Sequence, residues 1–135
     1  MAVIGGDLLE ITYNNPDVGS GVLYCKSGED STFDPGGFRN SDDANNIDGG
    51  GRMIVQKNRV QWSLEAVVTW DMNVAREDEN LRAITQSVNE TEWTMTHVNG
   101  TVFRGTGTIV GDIQPNGNTA QITLKIAGGG VLERI

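Results

Sequence analysis

The chain has 135 residues, 37% of them hydrophobic and 21% charged, with 18 Gly and a formal net charge of -8, enough for one domain with a core of its own. That acidic balance excludes binding to a nucleic acid backbone by phosphate neutralisation, which needs clustered Lys and Arg. The single cysteine, Cys25, excludes an intramolecular disulfide and a cysteine-rich metal centre.

Residues 7–14 and 21–26 read as two strands, with Leu9, Ile11 and Tyr13 alternating in the first and Val22 and Tyr24 in the second. Asn14-Asn15-Pro16-Asp17 connects them. Residues 27–51 carry Glu29, Asp30, Asp34, Asp42, Asp43 and Asp48 against Arg39 and are dense in Gly, which predicts a long acidic loop over about 28–51. Loops beyond about 12–15 residues are usually functional or disordered, so this one is a candidate contact element. The clearest strand follows over 60–70, where Val60, Trp62, Leu64, Ala66, Val68 and Trp70 alternate with polar or small residues. Residues 53–57 are expected to continue that strand or to pair with it.

Asp71 or Asn73 offers a helix N-cap, and Glu77, Asp78 and Glu79 suit the positive end of a helix dipole. Leu81, Ile84 and Val88 at helical spacing predict one helix near 76–88, packed on the sheet by a narrow apolar stripe. Trp93, Met95 and His97 alternate up to Asn99-Gly100, which predicts a two-residue hairpin turn, with 102–110 as the return strand. After the turn at Pro115-Asn116-Gly117-Asn118, Ala120, Ile122, Leu124 and Ile126 alternate again. Gly128-Gly129-Gly130 ends that strand, and the apolar tail 131–135 needs burial on its own domain or a neighbour. The expected fold is mainly β: a single domain over 1–135, an antiparallel sandwich or barrel-like sheet with one short helix. Its expected core contains Trp62, Leu64, Trp70, Leu81, Ile84, Ile122 and Leu124.

Few groups converge for catalysis or metal binding. His97 is the only histidine, which leaves no imidazole pair for a metal and favours a structural role. A Cys25–His97 nucleophile pair has no local support, since a Cys in a β pattern is usually a small buried hydrophobe. Asp42, Asp43, Asn45 and Asp48 invite a calcium reading, but the EF-hand template fails, because Ile47 or Asp48 falls where the loop needs glycine. Gly105-Thr106-Gly107-Thr108-Ile109-Val110-Gly111 has the wrong spacing for a dinucleotide turn and no following helix. Its glycines suit close approach of another backbone. A glycosidase pair drawn from Glu65, Asp71 and Glu92 is disfavoured, because strand alternation already explains Glu65. No cofactor and no metal are expected. The N-terminus lacks the basic start and apolar run of a signal peptide, and no stretch approaches a membrane span, so synthesis in a cytoplasm and no membrane partner are expected. The sequons at Asn89 and Asn99 are then a helix exit and a hairpin turn.

The order of elements resembles the tail tube proteins of bacteriophages, especially the short tubes of contractile tails, and by fold analogy the ring-forming protein of type VI secretion. The strand 60–70, the helix about 76–88, and the run from Gly105-Thr106-Gly107-Thr108-Ile109 through Ile122-Thr123-Leu124-Lys125-Ile126-Ala127-Gly128-Gly129-Gly130 carry the resemblance. It implies six subunits in a ring whose sheets join into one barrel, rings stacked head to tail, and a location in the virion tail after assembly in a bacterial cytoplasm. It further implies that the long loop, with Asp34, Arg39, Asp42, Asp43 and Asp48, reaches the next ring. The helix, with Glu77, Asp78 and Arg82, would face outward toward a sheath. The implied partners are further copies of the chain, sheath, baseplate and tail terminator proteins, with phage DNA passing an acidic wall without specific binding. Two other classes share this composition: a head decoration or fibre-associated β-domain, and a small carbohydrate-binding β-sandwich with Trp62, Trp70 or Trp93 as a stacking platform.

Overall fold

A computed structural model describes residues 2–40 and 46–135. It is mainly β with one short helix. Strands β1 (Leu8–Asn15), β2 (Gly19–Tyr24), β3 (Thr32–Asp34), β6 (Trp62–Thr69), β7 (Thr91–His97), β8 (Val102–Ile109) and β9 (Gln121–Gly128) form one antiparallel path in the order β2-β1-β7-β8-β9-β6-β3. The two-residue β10 (Glu133–Arg134) adds beside β8. Strands β4 (Gly37–Asn40) and β5 (Lys57–Val60) pair only with each other, and helix α1 (Glu77–Gln86) lies between β6 and β7 in the chain.

The path folds over at β8. Residues 102–107 of that strand pair with β7, whereas Thr108 and Ile109 pair with β9. Two sheet halves therefore face one another across a core of Ile11, Leu23, Trp93 and Met95 from one side and Trp62, Leu64, Val68, Ile122, Leu124 and Ile126 from the other. Leu81 and Ile84 of α1 join it. Each buried indole removes about 150–250 Å² from water, on the order of 4–6 kcal/mol of transfer free energy at ~25 cal/mol/Å². Both satisfy their N–H on β8: Trp62 donates to the Thr106 carbonyl at 3.1 Å and Trp93 to that of Gly107 at 3.4 Å. The far edges nearly meet, since Cys25 bridges Val68 and the Lys26 amide donates to the Val67 carbonyl at 2.9 Å. That contact is a bridge, not a ladder, and the described sheet does not close into a barrel.

Several expectations need correction. The register of β1 slips between Leu8 and Glu10, so Leu8 is buried and Leu9 exposed. A bulge of this kind sends every residue on one side of it to the opposite face. In β2 the inward residue is Leu23, with Val22 and Tyr24 exposed. The strand expected over 60–70 is two strands broken at Gln61, with Val60 closing β5 and β6 ending at Thr69. Trp70 is half-buried against the core rather than inside it, its indole donating to Asp78 at 3.0 Å.

Neither Asp71 nor Asn73 caps the helix. Asp71 spends its carboxylate on the Asn73 and Val74 amides, and Arg76 takes the N-cap position in a left-handed conformation with no side-chain cap. Because α1 stops at Gln86, Val88 is 97% exposed. The hairpin at Asn99-Gly100 is a three-residue loop: Gly100 donates back to the His97 carbonyl and His97 to that of Thr101. Only Gly100 has positive φ there, whereas a type I′ turn needs it at both central residues. Ala120 lies in the left-handed turn before β9. The tail is pinned by buried Leu132 and by β10, with Val131 and Ile135 exposed.

The glycines of β8 and β9 permit the crossing of the two halves. A Cβ on Gly107 would fall on the Ala127 carbonyl, and one on Gly128 on the Thr106 carbonyl and the Trp62 indole nitrogen. Overpacking of this kind typically costs about 1–3 kcal/mol. Gly128→Ala is therefore expected to lower the urea midpoint by an amount of that order, whereas Gly129→Ala, where a Cβ meets open space, leaves it nearly unchanged. Equal midpoints for the two variants would contradict this packing.

Candidate functional site

The region expected to be a long loop contains β3 and β4, and β4 finds its partner in β5, which follows it in the chain after positions 41–56. The result is an arm. Its root is tied down by a bridge between Gly36 and Val131 and by the Leu132 amide donating to the Pro35 carbonyl at 3.0 Å. Asp34 and Arg39, expected to contact a neighbour, form an ion pair with each other, and Asp34 also accepts the Gly36 amide at 3.0 Å. That amide, followed by Arg39, holds the Asp34 carboxyl below its ordinary range. Both residues brace the turn where the arm leaves β3. Asp42 and Asp43 lie outside the described residues.

Asp48 closes the turn at the tip. Its Oδ1 accepts the amides of Gly50 at 2.9 Å and Arg52 at 3.0 Å, and its Oδ2 meets Arg52 Nε at 2.9 Å. The Arg52 amide is the main influence lowering its carboxyl, with the Gly50 amide and the Arg52 guanidinium adding to it. The arm also holds five open apolar side chains among its described residues: Phe38, Ile47, Met53, Ile54 and Val55 are all exposed. Sequence reasoning missed them because acidic and glycine residues dominate the segment. The run Met53-Ile54-Val55, set between Arg52 and Lys57, was the available signal.

Between the arm and the main sheet lies a groove of about 730 Å³, lined by Phe38, Arg59, Val60, Val110, Ala127 and Val131 and by the glycines at 128–130. Its one charged side chain among the described residues, Arg59, stacks on the Phe38 ring with the guanidinium carbon 5.0 Å from the centroid. Arg59 has no ion-pair partner among the described residues. Elsewhere the free edge strand β2 exposes Val22 and Tyr24, with Glu10 opposite Tyr24 on β1.

The residues weighed for chemistry stay apart. His97 accepts the Asn99 amide at Nδ1 and places Nε2 at 3.2 Å from the Gly6 carbonyl, so its ring fastens the N-terminal segment to the hairpin. Burial, aided by Asp7 and Glu10, pushes the Cys25 thiol up to about 11, which keeps it protonated and a poor nucleophile near neutrality. No three His, Cys, Asp or Glu side chains come together for a metal among the described residues. None of the described helices is long and apolar enough to cross a membrane. On the helix, Arg82 is exposed, whereas Glu77 and Asp78 are half-buried and turned inward, Glu77 accepting the Asp71 amide at 2.8 Å and Asp78 the Trp70 indole. No protein-family model matches the chain, and no curated protein matches it.

A carboxylate with a depressed folded pKa contributes stability above its unfolded value, here 3.8, and loses that contribution as pH falls through the lowered folded value. The arm turn is therefore expected to loosen in acid. The Gly50 and Arg52 amide resonances should titrate with a common midpoint below 3.8, and in Asp48→Asn that titration should vanish. A midpoint at or above the ordinary value would contradict the turn geometry.

Proposed function

We propose that the chain is a structural subunit that assembles with copies of itself, and that the assembly is a tube of the phage-tail kind. The observation that carries this reading is the arm: a paired hairpin joined to the main sheet at its root, with Phe38, Ile47, Met53, Ile54 and Val55 exposed. Apolar side chains gathered on a separate hairpin mark a contact surface that a partner can cover. Strands β2 and β3 end the main path with one edge each unpaired, and β4 and β5 each pair on one side only. Free edges of this kind recruit further strands unless blocked. Identical subunits supply both the apolar cover and the missing strands, and contacts between unlike surfaces propagate into rings or open stacks.

The charge supports a conduit. With -8 per copy, a wall built from this chain repels DNA passing through it, which allows transit without sticking. A carbohydrate platform is less well supported, since Trp62 and Trp93 are both fully buried.

Negative-stain microscopy over a concentration series tests the reading. Rings or tubes are expected from the full chain. Replacing 41–56 with an Asn-Gly turn keeps β4 opposite β5 and should preserve the circular dichroism spectrum while abolishing tubes. A wild-type protein that stays monomeric at every concentration, or normal tubes from the shortened arm, would overturn it.

A further inference from the structure

Charge is segregated within the chain. From Asp34 to Val60 four Asp are balanced by Arg39, Arg52, Lys57 and Arg59, so the whole net charge of -8 belongs to the rest of the molecule. The paired strands β4 and β5 carry Arg39, Lys57 and Arg59 and no carboxylate. The groove beside them is apolar, with the unpaired Arg59 guanidinium held at its margin by Phe38. Such a site is complementary to a convex segment that joins apolar side chains to a carboxylate with no partner of its own.

Among the described segments that join exposed apolar side chains to such a carboxylate, the one with two exposed apolar side chains running into the acidic first turn of the helix is 72–79. The turn over 72–75 presents Met72 and Val74, the latter 86% exposed, and leads directly into the acidic first turn of α1. Within that turn Glu77 and Asp78 are engaged by Asp71 and Trp70. Glu79 is exposed and has no ion-pair partner among the described residues. From this we infer that the groove receives the 72–79 segment of a second copy, with Met72 and Val74 covering the apolar lining and Glu79 pairing with Arg59. The inference rests on the self-assembly reading above and specifies one of its contacts. Because groove and knob are different surfaces, copies that do not exchange them reciprocally about a two-fold axis join head to tail and leave one groove and one knob free at the ends of an open chain.

A charge swap in the full-length protein tests it, read by sedimentation velocity and microscopy, with thermal unfolding as the folding control. Arg59→Glu and Glu79→Arg should each raise the concentration needed for assembly by at least about tenfold, since each leaves two like charges facing one another as the contact closes. The double variant R59E/E79R should recover most of the loss, which neither a folding defect nor a general charge effect would produce. Val74→Ser, at an exposed position that leaves the core untouched, should weaken assembly with an unchanged melting temperature. If the wild type assembles and the single variants assemble equally well, or the double variant fails to recover, this contact is wrong while self-assembly stands. A wild type that never assembles removes both.

Discussion

Backbone-on-backbone contact at Gly107 and Gly128 sets the geometry of the whole molecule. Because neither residue has a side chain, β8 passes close enough to β9 for one sheet to turn back on itself, and the Trp62 and Trp93 indoles then reach β8 carbonyls. An indole N–H buried without an acceptor costs about 1–3 kcal/mol, so the crossing and the two largest core side chains depend on each other. The glycine run that resembles a nucleotide turn in the sequence thus serves close approach within the subunit.

In the proposed assembly, that fold leaves work for a neighbour. The two halves enclose an apolar core, but the outermost strands of the path keep a free side, and the arm carries apolar side chains away from the core. Asp34, Arg39 and Asp48 stiffen the arm at its root and at its tip turn. A pre-ordered arm loses less conformational entropy on docking than a disordered loop would. Segregation of charge, neutral on the arm and acidic on the rest, makes association of like-charged copies feasible through the arm and disfavoured elsewhere.

Much of the β architecture was legible because its signals are local. Alternation from Trp62 to Thr69 and from Gln121 to Gly128 marks the two central strands, and Leu81 with Ile84 marks the buried stripe of the helix. What escaped depends on distant pairings. The strands of the arm are separated by sixteen residues, positions 41–56, far beyond the short connections that announce a hairpin. The bulge that turns Leu8 inward and Leu9 outward is invisible where both neighbours are leucine. Within the candidate site, Asp34, Arg39 and Asp48 stood out as charged loop residues, yet their partners are inside the arm. Phe38 and Arg59 gain meaning only once β4 and β5 are paired.

Amide hydrogen exchange at two protein concentrations tests the central claim, that the open edges and the arm are completed by identical copies. Protection of the β2 amides and of residues 46–56 should rise with concentration, while Trp62–Thr69 in the core is equally protected at both. Identical exchange at every concentration, with the edge and arm amides already protected in the monomer, would contradict it.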